Sequence, residues 1–101
     1  MKDFIQVSKE DLQAQTIDSM IKALSCNVRR NILHLVRNQV LQPREIAETT
    51  DCQINVVKRH LSILSKAGLL LQFKRGNVVA YQLKSSALSL ALNSIENVHC
   101  D

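Results

Sequence analysis

The run Gln53-Ile54-Asn55-Val56-Val57-Lys58-Arg59-His60-Leu61-Ser62-Ile63-Leu64-Ser65-Lys66-Ala67-Gly68 has two unlike faces when it is wound as a helix. Val57, Leu61 and Leu64 recur at i, i+4 and i+7 and share one apolar face. At about 100° per residue the opposite face collects Asn55, Arg59, Ser62 and Lys66, with Lys58 at its flank. His60 falls on the edge of the apolar face and reads as a packing or phosphate-contacting residue rather than a ligand. Gly68 stands where a helix closes in a left-handed turn. The spacing therefore predicts a helix from about residue 53 to 67 that is buried on one side and polar and basic on the other.

Upstream, Pro43 sits where a first-turn proline belongs, opening a short helix Arg44-Glu45-Ile46-Ala47-Glu48-Thr49. Thr50-Asp51-Cys52 then makes a tight turn into the long helix. Earlier still, Val28, Ile32, Leu35 and Val36 face inward from one helix whose other side carries Arg30, His34 and Arg37. Ser25-Cys26-Asn27 separates it from a first helix with the stripe Ile17, Met20, Ile21, Leu24, whose start is expected at Ser8 ahead of Lys9-Glu10-Asp11. Downstream, Leu69 to Arg75 and Val78 to Lys84 are strand-like, and the Gly76-Asn77 pair between them signals a hairpin. Ser85 to about His99 reads as a last helix with Leu88, Ala91, Leu92 and Ile95 on one side and Leu90 on the other. Apolar residues on two sides call for a cover, and a second copy of the chain would provide one.

Composition agrees with this order. The chain has 101 residues, one domain's worth, and 46% are hydrophobic, too many for disorder. Phe4, Phe73 and Tyr81 are the only aromatics, so the core is expected to be aliphatic, and two Gly with one Pro favour helices over a turn-rich sheet. No apolar run reaches the roughly 20 residues that span a bilayer, and Met1-Lys2-Asp3-Phe4 lacks a secretory apolar segment. A soluble, cytoplasmic protein is expected. Charge is unevenly spread: six basic against four acidic residues over 1–43, seven against three over 44–84, and none against two over 85–101. Cys26, Cys52 and Cys100 form an odd set without C-x-x-C spacing, expected to be reduced thiols.

Helix, helix, short helix, turn, helix, hairpin, helix is the order of a winged helix-turn-helix. The fold expected is mainly α with a β-hairpin (α-α-α-α-β-β-α) in a single domain over residues 1–101. In that motif the second helix of the pair lies in the major groove of double-stranded DNA and the hairpin is the wing. The candidate DNA-binding residues are Arg44, Gln53, Asn55, Lys58, Arg59 and Ser62, with Lys74, Arg75 and Asn77 near the wing tip. Taken singly, each basic residue is as well explained by solvation; their order on two suitable elements favours DNA. A competing reading is a winged-helix module that docks proteins and has lost DNA binding, for which the apolar Ile54 and Val56 speak. An enzyme is not expected, since no phosphate loop, nucleophile elbow or metal-hydrolase motif occurs.

Ala23-Leu24-Ser25 with Arg29 and Ile32-Leu33, Glu45-Ile46-Ala47, Val57-Lys58-Arg59-His60-Leu61, Leu64-Ser65-Lys66-Ala67-Gly68-Leu69 and Arg75-Gly76-Asn77 with Tyr81 and Leu83 together resemble the ArsR/SmtB family of transcriptional regulators. The resemblance covers about residues 20–84. It implies a homodimeric repressor of a palindromic operator, joined through the first and last helices, with Ile17, Leu88, Leu90, Leu92 and Ile95 as interface candidates. It also implies release from DNA by a metal or by thiol oxidation. This chain departs from the family at the start of the recognition helix, where Gln53-Ile54-Asn55-Val56-Val57-Lys58 replaces a commoner Ser-Gln-x-Thr-Val-Ser.

The family's metal sites use Cys-x-Cys in the short helix or Asp and His in the last. The short helix here has no Cys, and the last offers only Glu96, His99, Cys100 and Asp101, so neither a metal site nor a cofactor is expected. Cys26 falls near the start of the second helix ahead of Arg29 and Arg30, a setting that stabilises a thiolate. Cys26 is the candidate redox thiol with Cys100 as a possible partner, against the plainer reading of a small half-buried side chain. Cys52, where the family has Leu or another apolar residue, is expected to pack in the core, and His34 to be solvated.

Overall fold

The computed structural model describes residues 4–7 and 17–98. Its elements are β1 (Ile5–Val7), α1 (Ile17–Leu24), α2 (Asn27–Leu35), α3 (Pro43–Thr50), α4 (Ile54–Lys66), β2 (Leu70–Arg75), β3 (Val78–Leu83) and α5 (Ser85–Val98). The helices and the hairpin follow the order expected from the sequence. The helix start expected at Ser8 lies outside the described residues.

One element was not expected. Ile5–Val7 forms a third strand, antiparallel to β2, with Ile5 opposite Lys74 and Val7 opposite Gln72. The sheet order is β1-β2-β3, so β2 is central. The far edge of β3 is also engaged: Leu41 N–H donates to the Tyr81 carbonyl at 3.0 Å and Tyr81 N–H returns the bond at 2.8 Å. Leu83 N–H donates to the Val36 carbonyl at 2.9 Å. These bonds seat the wing on the helices and occupy edges that would otherwise offer unpaired amides.

The core is aliphatic, as the composition requires. Ile32, Val36, Ile46, Val57, Leu61, Leu64 and Leu69 are buried completely or within 1% of it, so α2, α3, α4 and the start of the hairpin share one interior. Burying a side chain of this kind is worth about 1.5–3 kcal/mol, so this set supplies much of the driving force. Leu33 joins the core as well, beyond the stripe expected of α2. Cys52 is half-buried and packs against the same cluster.

The end of α4 follows from its sequence. Gly68 has φ +80°, and its N–H donates to the Ser65 carbonyl at 2.9 Å while that of Leu69 reaches the Leu64 carbonyl at 3.0 Å. These two bonds are a Schellman closure, satisfying carbonyls that the helix leaves open. At the hairpin tip Gly76 takes φ +61° at the first turn position, the place where a two-residue turn of the II′ kind needs glycine.

Candidate nucleic-acid interface

The helix pair is built by short-range chemistry. Pro43 opens α3, and the Glu45 carboxylate accepts the Gln42 N–H at 2.7 Å, capping the first turn. At the other end the Thr49 and Thr50 hydroxyls donate back to the Glu45 and Ile46 carbonyls at 2.9 and 2.8 Å. Asp51 then adopts φ +58°, a left-handed turn that Asp tolerates better than most side chains, and Cys52 N–H donates to the Ala47 carbonyl at 3.1 Å. Gln53 is the extended residue before α4, and its carbonyl takes the first helical bond from Val57 N–H at 3.1 Å.

This turn aims α4 so that Val57, Leu61 and Leu64 enter the core while Asn55, Lys58, Arg59, Ser62 and Lys66 are exposed. Gln53 is exposed just before them and Arg44 on α3. Ile54 stands out beside Asn55 at 40% exposed, and Val56 is half-buried. Gln72 of β2 donates through Nε2 to Ser65 Oγ at 3.3 Å, fastening the base of the wing to α4. Lys74, Arg75 and Asn77 are exposed at and beside the hairpin tip. The Arg75 guanidinium lies 5.0 Å from the centroid of the Phe4 ring, a cation–π arrangement. Phe4 itself is buried to 9% exposed.

Arg29 and Arg30, read from the sequence as neighbours of Cys26 and, for Arg30, as part of the outer face of α2, hold the α1–α2 elbow. Arg29 Nε donates to the Ala23 carbonyl and Arg30 Nη1 to the Leu24 carbonyl, each at 2.7 Å. Ser25 Oγ adds a bond to the Lys22 carbonyl at 2.7 Å. Together they satisfy the Lys22, Ala23 and Leu24 carbonyls at the end of α1. Cys26 is half-buried at the N-cap of α2. The Arg29 backbone amide above all, then that of Val28 and the charges of Arg29 and Arg30, hold its thiol below the ordinary value against an opposing desolvation. Cys100, with His99 and Asp101, lies outside the described residues. His34 is exposed. Among the described residues no three His, Cys, Asp or Glu side chains gather as metal ligands, and no helix is long and apolar enough to cross a membrane.

The interface candidates of the outer helices divide. Ile17 and Leu88 are half-buried against this chain's own core, whereas Leu90 and Leu92 are 52% and 48% exposed on α5. Ile95 belongs to α5, and its side chain lies outside the description.

A short helix, a left-handed turn, a long helix with a polar outer face and a hairpin seated behind them define a winged helix-turn-helix domain. Within it, residues 26–70 match the family model described as bacterial regulatory protein, arsR family. The transcriptional repressor SdpR of Bacillus subtilis is 27% identical over 81 residues, 80% of this chain and 90% of that protein. An ArsR-like transcriptional regulator from Rhodococcus sp. RHA1 superposes with a TM-score of 0.72 at 22% identity, over 81% of this chain and 77% of that one. A homodimeric winged helix-turn-helix DNA-binding domain from Mycobacterium bovis gives 0.67 at 23% identity, over 80% and 77%. The likeness to ArsR-family regulators read from the sequence holds.

Proposed function

We propose that this chain is a DNA-binding transcriptional regulator, a homodimeric repressor that reads a palindromic operator with α4 and steadies itself with the wing. One observation carries the reading: Asn55, Lys58, Arg59 and Ser62 are exposed on one face of a helix whose other face, at Val57, Leu61 and Leu64, is closed into the core. The match over residues 26–70 and the likeness to a named repressor support it. Asn55 is the side chain suited to a bidentate pair with adenine, and Lys58 and Arg59 to guanine. Gln53 and Ser62 extend the same face. Arg44 on α3, with Lys74, Arg75 and Asn77 on the wing, is suited to phosphates or the minor groove. Leu90 and Leu92 on α5 would be covered by the second copy, and with them Ile95, Ile17 and Leu88 complete the interface implied by the family resemblance.

Release from DNA by thiol oxidation at Cys26, with Cys100 as partner, belongs to the same proposal. The lowered Cys26 thiol supports it. A second reading, a protein-docking module, is favoured by the exposed Ile54 and Ile63 on α4.

The test is selection of duplexes from a random pool by the full chain, repeated with an oxidant and with zinc. The proposal expects enrichment of an inverted repeat whose half-sites lie about 10–10.5 base pairs apart, centre to centre, or a multiple of that. Recovery of no common sequence would favour the docking module.

A further inference from the structure

Among the described residues His60 is the polar side chain that the core takes in, 8% exposed, although it belongs to the helix that faces DNA in the proposal above. Its Nδ1 stands 3.3 Å from Nη1 of Arg29. A guanidinium has donors only, so the contact requires an unprotonated Nδ1 that accepts, with the ring proton on Nε2. Arg29 has little freedom to yield. Its Nε is held by the Ala23 carbonyl at 2.7 Å, and its Nη2 reaches the Lys22 carbonyl at 3.3 Å. One side chain thereby joins three helices: it grows from α2, caps α1 and contacts α4.

Among the described residues the charges that act on the ring are both positive: Arg29 reaches it from α2 and Arg59 from its own helix. Helices α1 and α3 and strand β2 also pack on α4. Burial first, then Arg29 and Arg59, hold the imidazole below the ordinary histidine value. Taking up a proton from solvent at Nδ1 would turn the acceptor into a donor. An N–H would then face an N–H, and a cation a cation. Because Arg29 is fastened to the α1 carbonyls, relief comes by displacing His60, and α4 with it.

We propose that the Arg29–His60 contact positions α4 and makes DNA affinity fall when His60 is protonated. The inference rests on α4 being the DNA-reading helix. The sign follows from the lowered value: the contact is intact at and above the ordinary histidine value and is lost as pH falls through the lowered one. His60 and Arg29 are positioning residues here, because they act through the helix and not on the bases.

One arm of the test needs no DNA. NMR of the full chain between about pH 8 and pH 5 follows the His60 ring and the α4 amides. The expected result is a ring that titrates below 6.5, with α4 amides moving at the same midpoint, and a midpoint raised by Arg29→Lys. A ring that titrates at or above 6.5 while the α4 amides stay still overturns the proposal. The second arm measures anisotropy with a duplex that the protein has itself selected. Wild-type affinity should fall on acidification by up to about tenfold per pH unit per chain. His60→Gln should flatten that profile, and His34→Gln, which alters an exposed histidine, should retain it. A His60→Gln profile parallel to wild type contradicts the inference. Failure to select any duplex would count against DNA binding itself, and the NMR arm would still decide the contact.

Discussion

Cys26 and Cys52 are both half-buried, yet their surroundings differ. Cys26 begins a helix and meets backbone amides and two guanidiniums, whereas the Cys52 thiol points back to the Thr50 carbonyl at 3.6 Å and packs against the core. Iodoacetamide should therefore label Cys26 ahead of Cys52 near neutral pH, read by mass spectrometry of peptides; faster labelling of Cys52 would contradict this. Because the Cys26 thiol is lowered, its labelling rate should level off at a lower pH than that of an ordinary thiol. Cys26→Ser should keep DNA binding and lose any response to oxidant, while Cys52→Ser should mainly lower stability, a contrast that anisotropy and thermal melting resolve. The position of Cys26 was readable from Ser25-Cys26-Asn27 and the two arginines that follow. The work those arginines do was not, since capping α1 depends on the angle of the elbow, which no spacing encodes. Phe4 was missed for a similar reason: nothing local says that an N-terminal aromatic will lie under Arg75.

Among the elements, α4 was the most readable because period and caps agree over a long run. Val57, Leu61 and Leu64 are buried as their spacing requires, and Gly68 closes the helix where it was expected. Leu61→Ala should cost about 2–5 kcal/mol of unfolding free energy, the usual range for a filled aliphatic site. Gly68→Ala should cost about 1–2 kcal/mol, because an L side chain must then hold φ +80°. Urea denaturation measures both, and a Gly68→Ala variant as stable as wild type would contradict the Schellman closure. Strand β1 was not readable. Three residues carry too little alternation, and their pairing depends on an open edge of β2 nearly seventy positions away in the chain. The hairpin announced itself because Gly76-Asn77 is a local signal; its third strand is a non-local one.

Taken whole, the molecule presents two unlike surfaces, the polar outer face of α4 with the wing, and the exposed leucines of α5. Leu90 and Leu92 together argue for a covering copy, since a chain of 101 residues buries only part of its apolar surface by itself. Sedimentation should find a dimer at micromolar concentration, and Leu90→Lys with Leu92→Lys should shift it toward monomer; a stable wild-type monomer would contradict the interface. The order of elements and the class of fold could be read from the chain, because helix period, caps and turn residues are local. Which cations remain available to a ligand could not, as Arg29 and Arg30 prove to be used inside the fold. The central claim is that α4 reads bases while the wing meets phosphates, and affinity against salt separates the two. On a selected duplex and a scrambled one, Asn55→Ala should leave the salt slope unchanged and weaken only the selected duplex, by about 1–3 kcal/mol. Lys74→Ala should weaken both duplexes alike and lower the slope of log affinity against log salt by about one unit. Equal losses on both duplexes for Asn55→Ala, or a Lys74→Ala effect confined to the selected one, would contradict it.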